Sequence, residues 1–214
     1  MQITPRDVLV VVDVQNDFCP GGALPVLDGD AVIEVIHRIA PNFEHIALTQ
    51  DWHPPGHHSF ACAHVAKKPF ESVELPHGTQ TLWPDHCVQG SWGADFHPSL
   101  ALPQAELILR KGFRKHIDSY SAFFENDHAT PTGLGGYLRE RGLVRIFLAG
   151  LAYDYCVGFS ALDARRLGLE AVVIRDACRA INLDGSVEKI EAEFAQAGVI
   201  VVESSAIHGN ANAT

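Results

Sequence analysis

The 214-residue chain is poor in basic residues, with 16 Lys and Arg against 26 Asp and Glu, for a formal net charge of −10 at pH 7. That balance argues against a nucleic-acid groove or an anionic membrane surface as partner. No basic run interleaved with aromatics occurs anywhere in the chain. Long apolar runs are also missing; none approaches the roughly 20 residues needed to cross a bilayer. The opening stretch MQITPRDVLVVVDVQ has no cleavable-signal pattern and goes straight into a strand-like run. Cysteines are few, odd in number and scattered (Cys19, Cys62, Cys87, Cys156, Cys178). In a chain of this size that pattern suits reduced thiols and a cytoplasmic location better than a disulfide framework. Internal repeats, low-complexity tracts and linkers are lacking. The absence of a GxGxxG after the first strand removes a Rossmann nucleotide site, leaving CPGGALP as a turn-rich loop.

What is present reads as one folded unit. Hydrophobic residues make up 47% and charged residues 20%, enough apolar content for one packed core and too little charge for a disordered polyelectrolyte. Nearly continuous Val, Ile, Leu and Ala runs fall at 8–12, 46–49, 107–109, 144–149, 171–174 and 199–202. Such runs are expected of strands buried on both faces of a parallel sheet. Mixed segments between them predict helices over about 29–40, 133–141, 157–167 and 183–197, with Gly142, Gly168 and Gly198 where helices should stop. The expected architecture is α/β: a single domain over 1–214, three layers α/β/α, with a central, mostly parallel six-stranded sheet. Residues 51–103 break the rhythm with many Pro, His and Gly, and are expected to form an irregular functional insert. The tail 209–214 is expected to be loose.

Ligands of open α/β sheets bind beyond the carboxyl ends of the strands. Here the first run is followed by Asp13, the second by Asp51 and His53, the third by Lys111 and the fourth by Cys156. Cys156 would stand where a helix begins, so unpaired N–H groups and the helix dipole could stabilise a thiolate or an oxyanion; alternatively it is a small buried hydrophobe. Asp13 is either a proton carrier or a cap for the segment that follows. Lys111 alone would read as an exposed lysine, but an acid, a lysine and a thiol together can form a catalytic set. Asp51-x-His53 puts two donors on one side of an extended segment, and His86 in LWPDHCVQG could complete an Asp/His₂ set. That set suits a divalent transition metal, namely zinc, iron or manganese. The other reading is polar residues facing solvent at a strand end.

Five stretches in order, DVQNDFCPGGALPV, TQDWHPPGHHSFA, LWPDHCVQGSWGADFHP, RKGFRKHIDSYSAF and GLAYDYCVGFSALDA, resemble the nicotinamidases of the isochorismatase-like cysteine hydrolase superfamily. The match covers roughly residues 7–180. The resemblance implies Cys156 as nucleophile, Asp13 as acid/base and Lys111 as third member of the triad. It implies Asp51, His53 and His86 as ligands of one metal ion, zinc foremost, with iron or manganese as alternatives. His57 is the expected fourth ligand, with Ser59 or water as alternatives. Phe18 and Trp83 would sandwich the pyridine ring, and Tyr120 would stand near the pocket. A cis Leu151–Ala152 peptide would aim the Ala152 N–H, with that of Cys156, at the oxyanion. The activity implied is hydrolysis of nicotinamide to nicotinate and ammonia in NAD salvage, with pyrazinamide as a second substrate. A homo-oligomer is a further expectation. The sequence departs from the family at AYDYC, where Tyr153 and Tyr155 are expected to line or narrow the entrance. Alternatives are a sibling hydrolase acting on N-carbamoyl or ureido amides, isochorismatase proper, and a non-catalytic α/β binding domain.

Overall fold

The computed structural model describes residues 1–209. Eight strands and four helices follow in the order β1 (Asp7–Val12), α1 (Val32–Ile39), β2 (His45–Asp51), β3 (Ser72–Leu75), β4 (Gly78–Thr81), β5 (Leu107–Lys111), α2 (Leu134–Glu140), β6 (Arg145–Leu151), α3 (Gly158–Arg166), β7 (Glu170–Arg179), α4 (Ser186–Ala197) and β8 (Ile200–Val202). Six of the strands form one sheet in the order β5-β2-β1-β6-β7-β8. Every pairing in it is parallel, so the sheet is wholly rather than mostly parallel.

Alternation along β1 explains its unbroken apolar run. Leu9 and Val11 face a core shared with Ile46, Leu48, Phe147, Val172 and Ile174, which α1 covers with Ile33 and Ile36. Val8, Val10 and Val12 face the other core, with Leu134 and Leu138 of α2, Ala161 of α3, and Ile190 and Phe194 of α4. All six β1 residues are buried. Each such Val or Leu side chain contributes roughly 1.5–3 kcal/mol as an upper bound. In α1 the buried positions Val32, Ile33, Ile36 and Ile39 form a single helical stripe. The helices end before Gly142, Gly168 and Gly198.

One difference from the sequence expectations concerns the insert. The segment 51–103 is not irregular throughout, because β3 and β4 pair antiparallel across Pro76-His77. The hairpin was not legible because SVELPHGTQT lacks a β-branched run and is largely exposed, so no core selects its pattern. In the tail, 210–214 lies outside the described residues, while the Gly209 carbonyl accepts a hydrogen bond from Gln2 Nε2 at 3.0 Å. Among the described residues, no helix is long and apolar enough to cross a membrane.

The topology decides where chemistry can occur. β1 and β6 are neighbours at the centre, and the chain leaves β1 toward β2 and leaves β6 toward β7 on the opposite side. A crevice opens at such a reversal, beyond the carboxyl ends of the two strands. Asp13 follows β1 directly, and the turn holding Cys156 follows β6.

Candidate active site

Four strand ends converge on one buried ammonium. Lys111 is the last residue of β5 and is fully buried. Its Nζ lies 2.7 Å from Asp13 Oδ2 and 2.6 Å from Asp51 Oδ1. It also donates to the Ser119 carbonyl at 3.0 Å and to Cys156 Sγ at 3.3 Å. An ammonium in an apolar interior must be compensated, and here two carboxylates do so. Burial alone would lower the Lys111 pKa, but Asp13, Asp51 and Cys156 hold it well above the ordinary value. Carboxylate oxygens of Asp13 and Asp51 and the Cys156 sulfur all lie within 4.8 Å of one another.

Asp13 adopts a left-handed backbone with φ of 49°. Its carboxylate is held by Thr49, whose Oγ1 donates to Asp13 Oδ1 at 2.6 Å and accepts the Asp13 N–H at 3.2 Å. Burial pushes the Asp13 carboxyl up to about 6, outweighing the pull of Lys111 and assisted by the charge of Asp51. Asp51 is the opposite case: burial would raise it, but Lys111 and then His53 hold it well below the usual carboxylate range. Environment thus separates two adjacent acids into one that exchanges protons near neutrality and one that stays ionised.

Cys156 lies in a π-helical turn over Tyr153–Val157 that precedes α3, rather than in the first turn of an α-helix as expected. The reactive state differs accordingly. Burial pushes the Cys156 thiol well above its ordinary value; Lys111 opposes this, while Asp13 and Asp51 add to it. The resting group is a thiol beside a carboxylate that can take its proton. The Leu151–Ala152 peptide just before this turn is cis.

The second half of the cleft is a set of nitrogen and oxygen donors. His53 Nε2 and His86 Nε2 lie 3.6 and 3.9 Å from Asp51 Oδ2. The other ring nitrogens are tied to backbone: His53 Nδ1 donates to the Gly112 carbonyl at 2.9 Å, and His86 Nδ1 donates to that of Pro84 at 2.8 Å. Those bonds leave both Nε2 atoms as the facing donors, the usual support of metal-binding imidazoles. Gly112 has φ of +64°, and a Cβ there would stand 2.4 Å from His53 Cε1, so only glycine lets the chain after β5 lie against this ring.

These residues fit a divalent metal on two observations. His53 Nε2 is buried without a hydrogen-bond partner. In addition, two buried carboxylates (Asp13 and Asp51) share the single Lys111 ammonium, and a third, Asp118, lies 3.8 Å from His53 Nε2. The excess negative charge pulls a proton onto His53: Asp118 and Asp51 overcome its burial and raise it to about 9. Burial, with His53 beside it, lowers His86 to about 4, so that ring is neutral and able to ligate. A dication among Asp51, His53 and His86 would supply the positive charge that the proton on His53 supplies otherwise.

The structure does not bring His57 into this set. Its Nε2 donates to the Arg114 carbonyl at 2.8 Å, with that of Ile117 at 3.2 Å, and its Nδ1 meets Ser59 Oγ at 2.7 Å. Both nitrogens are engaged, and the ring packs on His53 with centroids 4.5 Å apart. His57 and Ser59 thus stand against His53, and potential ligand atoms of His53, His57 and Asp118 lie within 4.8 Å of one another. We expect His53→Ala to abolish stoichiometric metal binding, and His57→Ala to weaken it by about 10- to 100-fold, the usual scale for a group one shell out. Metal content after dialysis against graded chelator separates the two.

A pocket beside Cys156 is lined by Phe18, Trp83, Tyr120, Tyr155, Asp51 and His86, among others. Phe18 and Trp83 thus flank the space next to the thiol. Tyr120 is fixed by its hydroxyl, which accepts from Trp83 Nε1 at 3.0 Å and Gln80 Nε2 at 2.8 Å. Of the two tyrosines expected at the entrance, only Tyr155 is there, edge-on to Trp83 with centroids 5.0 Å apart. Tyr153 points to the other side, against Phe194 of α4, with its hydroxyl 3.2 Å from Glu191. Sequence reasoning missed Asp118, which lines the pocket and whose Oδ1 lies 3.8 Å from His53 Nε2. The available signal was its place in RKHIDSYS, a polar loop directly after the Lys111 strand.

Comparison with known proteins places this geometry among relatives. The isochorismatase domain model matches residues 7–206. The chain is 50% identical over 196 residues to the nicotinamidase of Acinetobacter baylyi, covering 92% of each. It is similar to the solved nicotinamidase/pyrazinamidase of Acinetobacter baumanii, with a TM-score of 0.94 and 52% identity over 95% of this chain and 98% of that one. The pyrazinamidase of Pyrococcus horikoshii in complex with zinc superposes with a TM-score of 0.74 at 34% identity, over 93% of this chain and 99% of that one.

Proposed function

The chain belongs to the isochorismatase family, and on that premise we propose that it is a cysteine amidohydrolase that converts nicotinamide to nicotinate and ammonia. Pyrazinamide, of the same shape, is a second substrate. The observation that carries this reading is the single Lys111 ammonium joining a thiol and its carboxylate partner to a metal-donor carboxylate, beside an aromatic pocket.

Asp13 removes the Cys156 proton as the sulfur attacks the carboxamide carbon. The backbone N–H groups of Ala152 and Cys156 hold the tetrahedral oxyanion. Asp13 returns the proton to the nitrogen, the C–N bond breaks, and ammonia leaves a thioester on Cys156. Asp13 then takes a proton from water as the water attacks the thioester. Collapse expels the sulfur, which takes the proton back from Asp13, and the nicotinic acid formed loses its own proton to water to give nicotinate. Lys111 keeps its charge throughout and balances whichever of Asp13 or Cys156 is anionic. Phe18 and Trp83 hold the ring between their faces, with Tyr155 at its edge.

Asp51, His53 and His86 would hold one divalent transition ion, zinc in the first instance. That ion would orient the substrate through the pyridine nitrogen and bind water. Chelation is expected to suppress turnover, and adding zinc, iron or manganese back one at a time would identify the ions that serve.

The reading is tested by ammonia release from nicotinamide by the intact, metal-loaded protein. Release supports it. Release only from N-carbamoyl or ureido amides would replace nicotinamide as the substrate while keeping the thiol chemistry.

A pH dependence follows from Asp13. Its carboxylate is the working form, so kcat/KM falls as pH drops through its pKa and the carboxyl takes up a proton. Thr49 donates to that carboxylate and lowers its pKa. Thr49→Val should therefore move the acid limb of the kcat/KM profile to higher pH; an unmoved limb would assign that limb to another group.

A further inference from the structure

Outside the cleft, two histidines stand together that the reaction does not use. His58 Nε2 and His116 Nδ1 lie 3.3 Å apart, with ring centroids 4.6 Å apart and planes at 76°. His116 is exposed and His58 half-buried. The two loops that carry them are tied by backbone, since the His58 N–H donates to the Lys115 carbonyl at 2.9 Å. A third imidazole braces the pair: His64 Nε2 donates to the His58 carbonyl at 2.8 Å, and its ring stands 6.3 Å from that of His58. Phe113, Arg114 and Lys115 next to His116 are exposed, so solvent reaches the loop.

The separation has a chemical meaning. Two nitrogens each about 2.0–2.1 Å from one tetrahedral zinc are about 3.3 Å apart. The observed pair is already spaced as two corners of such a site, with the loops fixed before any ion arrives. We propose that His58 and His116 form a second, surface site for a divalent transition metal ion, separate from Asp51, His53 and His86, with water completing the coordination. Imidazole donors without a carboxylate or thiolate suit zinc, nickel and copper rather than magnesium or calcium.

Burial, then the neighbouring His116, His64 and Lys115, push His58 below the usual imidazole range, which favours the neutral ring that can ligate. Binding needs both facing nitrogens free of protons, so each ring holds its N–H on the nitrogen turned away from the ion.

The site is tested by zinc uptake in equilibrium dialysis, using the whole protein already loaded with one equivalent. The wild-type chain should take up a second equivalent. His116→Ala, a change at an exposed position, and His58→Gln should each lose that second equivalent and keep the first, with amide turnover of the one-equivalent form unchanged. His53→Ala should show the reverse, losing the first and keeping the surface ion. Wild-type protein that stops at one equivalent, or a second equivalent that survives both His116→Ala and His58→Gln, would overturn the proposal and leave the pair as an imidazole–imidazole hydrogen bond.

Discussion

Cys156→Ala should lower nicotinamide turnover by at least about 10⁴-fold, equivalent to roughly 5.5 kcal/mol of transition-state stabilisation. The loss is large because every bond change of the proposed reaction runs through the sulfur. Without it, Asp13 has no nucleophile to deprotonate within reach of the substrate carbon. The fold should tolerate the change: the position is a small buried one in the turn before α3, and alanine removes only the sulfur. Deleting the thiol also relieves Lys111 of one partner while leaving both carboxylates paired to it. Melting temperature and metal content should therefore stay near wild type while ammonia release disappears. Cys156→Ser probes the same step, since a hydroxyl is the weaker nucleophile beside the same carboxylate. Turnover that survived in the alanine variant would show that another nucleophile attacks, and would remove the thioester from the scheme.

Lys111→Met should cost stability as well as activity. The substitution keeps much of the apolar stem but deletes the charge from between Asp13 and Asp51, both buried. Leaving buried charge uncompensated typically costs about 3–5 kcal/mol. For a chain of this size that corresponds to a fall in Tm of about 6–20 °C. The sign of its pH dependence follows from the same charges. With Lys111 in place, Asp51 is held well below the usual carboxylate range, so its share of stability is present at neutral pH and lost only on strong acidification. Without Lys111 the folded-state values of Asp13 and Asp51 rise. The deficit is then largest at neutral and higher pH, and shrinks as the pH falls and a carboxyl takes up a proton. Thermal melts of wild type and variant across pH, run with chelator to exclude metal, measure this directly. Combining Lys111→Met with Asp13→Asn should recover part of the loss, because both members of one pair are then neutral. A deficit that is flat across pH and unchanged in the double variant would make Lys111 a packing residue rather than the electrostatic hinge of the site.

Legibility differed between fold and site. The double burial of β1 was readable because an unbroken Val/Leu run has only one economical home, the middle of a parallel sheet. The motif DWHPPGHHSF carried the acid and imidazoles of the donor set, but not which imidazole stands behind the others. His57 lies four residues from His53 with the same chemistry, and only the Arg114 and Ile117 carbonyls, far along the chain, decide that its Nε2 faces away. Likewise Tyr153 and Tyr155 are indistinguishable as letters. The π-helical turn sends one to the pocket and the other to α4.

Sequence alone determined the layered α/β class, the strand-end placement of Asp13, Asp51, Lys111 and Cys156, and the kind of chemistry those residue types support. Periodicity and residue identity are local properties, which is why they survive without coordinates. The tertiary structure alone decided how strongly each group holds its proton, that Asp118 joins the site, and that Ser59 and the Arg114 and Ile117 carbonyls engage the His57 nitrogens. Those outcomes depend on desolvation and on contacts between segments some 60 residues apart, such as Lys111 with Asp51. Charges set one another's state only once the fold has brought them within a few ångströms and removed the water between them.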